Sequence, residues 1–383
     1  MLTLIKNANI ILDGKNNCFG NVLIKDNKIV EITDKICDAD IVYDAKRNYL
    51  LPGLIDIHFH GSYGYDFIEN AKEAIDVISS NLVKEGTTSF MASLTVVSHK
   101  ELCSLLYDYS KIKETNGANF LGVHSEGPYL SVKYKALMDE RYLRDPDINE
   151  LEQMLECAKG VLKIMTIAPE RKNMDLFIKK ALDNNITLMI GHSDASCDIA
   201  LNAIDMGCTG FTHLYNAMSQ HVHREPGNVT AAFLSDKAYC EMIVDGFHIH
   251  PNVVKASYNI LKAKRICLIT DAMLGKGMPD GEYVFSNLRC IKKANTVRVI
   301  ETGRIAGSSI TMLDAIKNMR KFTNCSLNEI VQMACVNPSI IAKVDKYKGS
   351  IEAGKDADLI ILNNDLDLMM TMVNGKIRGC NEK

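Results

Sequence analysis

The spacing of apolar residues changes character twice along the chain. At the N-terminus, LTLIKNANIIL, NVLIKDNKIVEI and IVYDAKRNYL alternate apolar and polar positions in short runs, the pattern of strands joined by polar turns. The C-terminal stretch DADLIILNNDLDLMMTMVNGKI repeats it, with an Asn-Asn-Asp turn between two apolar strands and an Asn-Gly turn near the end. Neither end shows helical periodicity, and neither can bury both faces alone. The two termini are therefore predicted to meet in one small β-sandwich, built from residues 1–50 together with 347–383.

Between them, short apolar runs alternate with amphipathic helical stretches such as AKEAIDVISSNLVKEG, NMDLFIKKALDNN and PNVVKASYNILKAK. That alternation predicts a parallel sheet covered by helices. Eight strand candidates can be counted: LIDIHFH, TTSFMASL, NFLGVHSE, KIMTIAPE, TLMIGHS, GFTHLY, YCEMIVDGFH and RICLITDAM. Eight is the number that closes a TIM-type (β/α)8 barrel, here spanning residues 51–346, so the fold class is α/β. Seven of the eight runs end in an ionisable or metal-binding residue: His60, Glu126, Glu170, His192, His213, His248 and Asp271. Barrel enzymes place their chemistry at the carboxyl ends of the strands, so this recurrence predicts a site.

Composition narrows what that site meets. The 383 residues, 47% of them hydrophobic, suffice for a large core, and a net charge of -3 without a basic stripe argues against nucleic acid as partner. The 12 scattered cysteines form no C-x-x-C pair or zinc-finger spacing, which suits a reducing, cytoplasmic setting. No apolar run reaches membrane-spanning length, and MLTLIKNANIIL is broken by Lys6, Asn7 and Asn9, unlike the core of a signal peptide.

Imidazoles and carboxylates converging at a barrel mouth, with no cysteine among them, suit a divalent transition metal with an open position. A carboxylate beside it can take a proton from water and hand it to a leaving group, and Asp271 in LITDAM is the natural candidate. Each residue alone has a plainer explanation. An H-x-H pair can be hydrogen-bonded core, His192 can cap a helix, His213 can pack, and Glu126 can face solvent. His99 and His250 are assigned no role, and His124, two before Glu126, is expected to point into the barrel as a satisfied core histidine. Five coincidences at equivalent strand ends are far less expected than one metal site.

PGLIDIHFHG, HSEGPYL, GHSDA, THLYNAMSQHVHREPG, DGFHIHP and LITDAM together resemble the N-acetylglucosamine-6-phosphate deacetylases of the amidohydrolase superfamily, over nearly the whole chain. The resemblance implies a metal-dependent barrel with a β-sandwich, usually a homodimer, that removes acetate from the nitrogen of a phosphorylated amino sugar. It would place the main metal on Glu126, His192 and His213, with Asp271 as acid and base. Asn216 and Ala217 would hold the sugar phosphate and Arg224 would pair with it; a guanidinium matches phosphate bidentately. His248, with the loop from Asp245, would contact sugar hydroxyls or the carbonyl, and Ala306, Gly307 and Ser308 would lie against substrate from a loop beyond the last strand.

The family includes members with one metal and members with two. His58 and His60, two apart on a strand, share the inward face, with Asp56 in phase with them. With Glu126 bridging and Asp271 opposite, they would complete a second position filled by zinc, iron or manganese. One stretch departs from the pattern. Where relatives carry Lys-Gly-Ala followed by His or Gln, this chain has Lys135, Ala136, Leu137 and Met138, which removes a polar contact and a glycine. That keeps N-acetylgalactosamine 6-phosphate open as a substrate. A cyclic amide is disfavoured, because no strand end offers a metal-bridging lysine. The alternative from another class is a catalytically inactive barrel that only binds.

Overall fold

In the computed structural model, which describes residues 1–285 and 288–380, eight parallel strands form one sheet in sequence order. They are Leu54–Asp56, Thr87–Leu94, Asn119–Glu126, Leu162–Ile167, Thr187–Ile190, Gly210–Phe211, Tyr239–Ile243 and Ile266–Ile269. Alternate side chains point to opposite faces. Ile55, Ile57, Met91, Ile164, Met189, Ile243, Cys267 and Ile269 fill the barrel interior, while Phe90, Ala92, Met165, Ile167, Leu188, Ile190 and Leu268 meet the helices. The strands are buried on both faces, hence their nearly continuous apolar sequence.

First and last strands are joined across the seam by a carboxylate. Asp56 accepts from the hydroxyl of Thr270 at 2.6 Å and from its backbone N–H at 3.4 Å. Just above, Asp271 N–H donates to His58 O at 2.9 Å and His60 N–H to Ala272 O at 2.8 Å. Asp56 therefore does not extend the face of His58 and His60, because strand pairing ends at Asp56 and its side chain is spent on the seam. Burial pushes its pKa up to about 6 against the opposing pull of Lys276 and Thr270.

The amphipathic stretches form the helices Ala71–Leu82, Met174–Asp183 and Pro251–Arg265, each laying an apolar stripe on the barrel. His250 caps the last of these by accepting from Asn252 N–H, so it has a local use.

Both termini enter one eight-stranded sheet, ordered Lys376–Cys380, Leu368–Val373, Leu359–Leu362, Tyr49–Pro52, Leu2–Ile11, Asn17–Lys25 and Lys28–Thr33, with Ile41–Asp44 also paired to Leu2–Ile11. One face gathers Ile5, Ile10, Val22, Ile24, Leu359, Ile361, Met370 and Met372 into a core of its own. The other, through Leu51, Ile360, Leu362 and Val373, joins the core of the barrel.

A further sheet was not expected from sequence. Gly281–Phe285, Leu288–Lys293, Thr296–Val299 and Ile305–Ser308 form four antiparallel strands over Met273, Leu274, Phe285, Cys290 and Val297. Ala306, Gly307 and Ser308 thus lie on an edge strand rather than in a loop. Beneath it, Lys276 is 1% exposed and pairs with Glu85 at 2.7 Å, while the Tyr63 hydroxyl donates to the same carboxylate.

Removing one member of a buried ion pair strands the other, at a cost of about 3–5 kcal/mol. Lys276→Met should lower the unfolding free energy by that order in chemical denaturation, and adding Glu85→Gln should recover most of the loss. A loss in the single variant that Glu85→Gln leaves unrecovered would assign it to the packing of the lysine side chain rather than to the stranded carboxylate.

Candidate metal centre

Glu126 ends the third strand, and four imidazoles surround its carboxylate. Oε1 lies 3.1 Å from His192 Nε2, 2.9 Å from His213 Nε2 and 3.4 Å from His58 Nε2; Oε2 lies 3.1 Å from His60 Nε2. Asp271 Oδ1 stands 3.5 Å from His60 Nε2 and 3.9 Å from His58 Nε2. Burial opposes ionisation of Glu126, but the neighbouring His192 and His58 hold its carboxyl well below the usual range.

The outward nitrogens explain the orientation. His60 Nδ1 lies 3.1 Å from Ser93 O, His192 Nδ1 2.7 Å from Tyr134 O, and His213 Nδ1 3.1 Å from Asn216 O. Each can only donate there, which leaves the Nε2 lone pair directed inward. His58 Nδ1 is held differently, by the carboxylate of Glu241 at 2.9 Å.

Backbone geometry adds to this. His192, His213 and Asp271 have φ of 47°, 30° and 46°, the left-handed region that costs roughly 1–2 kcal/mol per non-glycine residue. Each lies just beyond a strand end, where the turn brings the side chain back over the barrel mouth.

Converging lone pairs repel unless a cation lies between them. His192 and His213 Nε2 approach to 3.1 Å, and the candidate ligand atoms fall into two groups, Glu126/His192/His213 and His58/His60/Asp271, each within 4.8 Å. Nitrogen and oxygen donors in these sets fit a divalent transition metal. A third group, His58/His124/Glu241, does not qualify. Both nitrogens of His124 are used, Nδ1 donating to Ile57 O at 3.3 Å and Nε2 accepting from the Thr166 hydroxyl at 2.8 Å. Burial, then His58, holds its pKa well below the usual value.

A cavity of about 440 Å³ opens onto these ligands. His60, Glu126, His192, His213, Asn216, Ala217, His248, Asp271, Ala306 and Gly307 line it. His248 is aimed by Asp245, whose Oδ2 meets its Nδ1 at 2.6 Å while Oδ1 accepts from the N–H groups of Phe247 and His248. Asp245 thus works on its own loop and does not line the cavity. Ser308 also stands back, donating its N–H to Asp271 O at 2.9 Å. Glu170 leaves the strand-end set altogether, accepting from Ser193 Oγ at 2.7 Å and Asp194 N–H at 2.6 Å. Arg224 is exposed and lies outside the cavity of its own chain.

The departing stretch forms the apolar wall, with Ala136, Leu137 and Met138 beside Val96, Val97 and Phe285. Ala136 keeps φ of 52°, so the backbone bend persists where glycine was expected. Glu241 was missed by sequence reasoning, although a lone charge within YCEMI was the available signal.

An eight-stranded parallel barrel with two such donor sets at its carboxyl face describes a metal-dependent hydrolase site. The sequence profile of the amidohydrolase family matches residues 49–378, and the chain belongs to that family. It is similar to the N-acetylglucosamine-6-phosphate deacetylase of Bacillus subtilis (strain 168), 34% identical over 382 residues covering 98% of this chain and 96% of that one. The N-acetylgalactosamine-6-phosphate deacetylase of Escherichia coli O157:H7 is 31% identical over 338 residues, 88% of this chain and 89% of its own. A variant of the Mycobacterium smegmatis N-acetyl-D-glucosamine-6-phosphate deacetylase, solved with N-acetyl-D-glucosamine-6-phosphate, has a TM-score of 0.90 at 28% identity, covering 99% of both chains.

A ligand that binds only the folded state at about 1,000 times its Kd stabilises by about 4 kcal/mol. Exhaustive chelation should therefore lower the thermal midpoint, and zinc, iron(II) or manganese(II) should restore it. An unchanged midpoint after verified metal removal would mean that the donor set is satisfied by protons and hydrogen bonds.

Proposed function

We propose that the protein is a metal-dependent hydrolase that removes acetate from N-acetylglucosamine 6-phosphate, leaving glucosamine 6-phosphate. The observation that carries this is the pair of donor sets around Glu126, with Asp271 on the cavity wall, in a chain similar over nearly its full length to deacetylases of that name. Glu126, His192 and His213 would hold one ion, and His58, His60 and Asp271 a second, with Glu126 between them. Zinc, iron and manganese all suit these donors. When bound, a divalent cation supplies Lewis acidity toward the acyl oxygen and the attacking water.

The chain's own groups do the rest. Asp271 takes a proton from the water and returns it to the sugar nitrogen as the C–N bond breaks. His248, its Nδ1 committed to Asp245, presents Nε2 to the substrate. Asn216 and Ala217 would hold the sugar phosphate and Ala306 and Gly307 would lie against the substrate, all four lining the cavity. Arg224 would meet the phosphate, and because it lies outside its own chain's cavity, that role calls for a homodimer in which a second copy presents it. Twelve unpaired cysteines support a cytoplasmic setting, and no helix among the described residues is long and apolar enough to cross a membrane.

The apolar wall at Ala136–Met138 favours keeping N-acetylgalactosamine 6-phosphate as a second reading, because a polar contact to the sugar is missing there. Acetate release from N-acetylated glucosamine, galactosamine and mannosamine, each with and without 6-phosphate, distinguishes the two. The glucosamine 6-phosphate derivative should be the best substrate. No release from any of them by metal-loaded protein would favour a binding protein.

Asp271→Asn should cut turnover by about 100-fold to 10,000-fold with substrate binding largely intact, since the amide cannot accept the proton. Near-normal turnover across pH would remove Asp271 from the base's role. Arg224→Ala should raise KM for the phosphorylated sugar and spare the poor activity on its unphosphorylated form, the lost bond being worth about 1.5–3 kcal/mol. Equal losses on both would assign the arginine to the fold or the metal.

A further inference from the structure

We infer that Glu241, a fully buried carboxylate on the seventh barrel strand, is the positioning residue that makes the second metal position usable. The inference rests on the two-ion reading above. Three of the four converging imidazoles are steered by backbone carbonyls, which no single side-chain replacement removes. His58 alone is steered by a side chain, through the 2.9 Å contact from its Nδ1 to Glu241 Oε2. Its other nitrogen, Nε2, has no hydrogen-bond partner among the described residues and faces Glu126 and Asp271.

The chemistry of the anchor is specific. To aim Nε2, an uncharged acceptor such as a carbonyl suffices, as it does for His60, His192 and His213. A carboxylate at 0% exposure, in a strand otherwise made of Tyr239, Cys240, Met242 and Ile243, is costly to bury unless opposite charge stands near. Its remaining oxygen, Oε1, has no hydrogen-bond partner among the described residues. The neighbouring His124 offers no charge, having both nitrogens committed to Ile57 O and the Thr166 hydroxyl. A cation on the far side of the His58 ring, beside Glu126 and Asp271, would supply that compensation. A carboxylate behind a metal-bound imidazole fixes its tautomer and makes its donor nitrogen more basic. Glu241 also accepts from His213 N–H, at a longer 3.3 Å, so a purely structural role would act on the first position instead.

The two roles separate by which ion is lost. Metal-stripped wild type, Glu241→Gln and Glu241→Met are titrated with zinc against a competing chelator, with stoichiometry by elemental analysis and position by anomalous scattering. Wild type should take two ions. In both variants the second ion should bind about 10-fold to 100-fold more weakly, the range for such outer partners, with the first unchanged. The amide of Gln, which still accepts from Nδ1, should do less harm than Met. Should the Met variant not fold, the Gln variant decides alone. Unchanged affinity for both ions, or equal weakening of both, would overturn the inference. Wild type saturating at one ion would overturn the two-ion reading and the inference with it, whereas the acetate assay stands or falls separately.

Discussion

Four imidazole lone pairs and the carboxylates of Glu126 and Asp271 are held facing one another in a buried space, and much of the barrel mouth serves to hold them there. Such a cluster is stable only around positive charge. Its geometry is over-determined: each ring is fixed by what its outer nitrogen touches, and three of the residues occupy a backbone region that costs energy. The cost is spread over a large interior, where the barrel, the helices and one face of the terminal sheet share a single continuous core.

The same constraint explains features that look unrelated. The Asp56–Thr270 link closes the seam directly below His58, so the residue that completes the barrel also fixes the turn carrying His58 and His60 against the one carrying Asp271. Ser308, on the inserted sheet, binds the backbone of Asp271 and couples that sheet to the proposed base. Asp245 aims His248 as the carbonyls aim the other rings. The rest of the cavity wall, including the apolar Ala136–Met138 stretch, stands apart from these anchors.

Much of this was legible in the sequence, because strand-end residues in a barrel must converge and their chemistry cannot be replaced by packing. His58, His60, Glu126, His192, His213 and Asp271 all come together as their positions implied. What failed did so for local reasons. Glu170 sits at a strand end but finds nearer donors in Ser193 and Asp194. Asp56 shares the period of the histidines but lies where two strands need joining. The inserted sheet covers its own small core, and its strands, such as Leu288–Lys293, mix charge with apolar residues too irregularly to show a clear alternation. Glu241 was hidden because a charge within a buried strand has meaning only once its partner across the barrel is known.

Acetate release should depend on the cation that the convergent donor set would hold. The most direct measurement titrates metal-stripped protein with zinc and follows, in the same samples, ion uptake and acetate release from N-acetylglucosamine 6-phosphate. Turnover should be negligible without metal and should rise as the positions around Glu126 fill. Full turnover by metal-free protein, or a loaded centre that releases no acetate, would contradict that dependence.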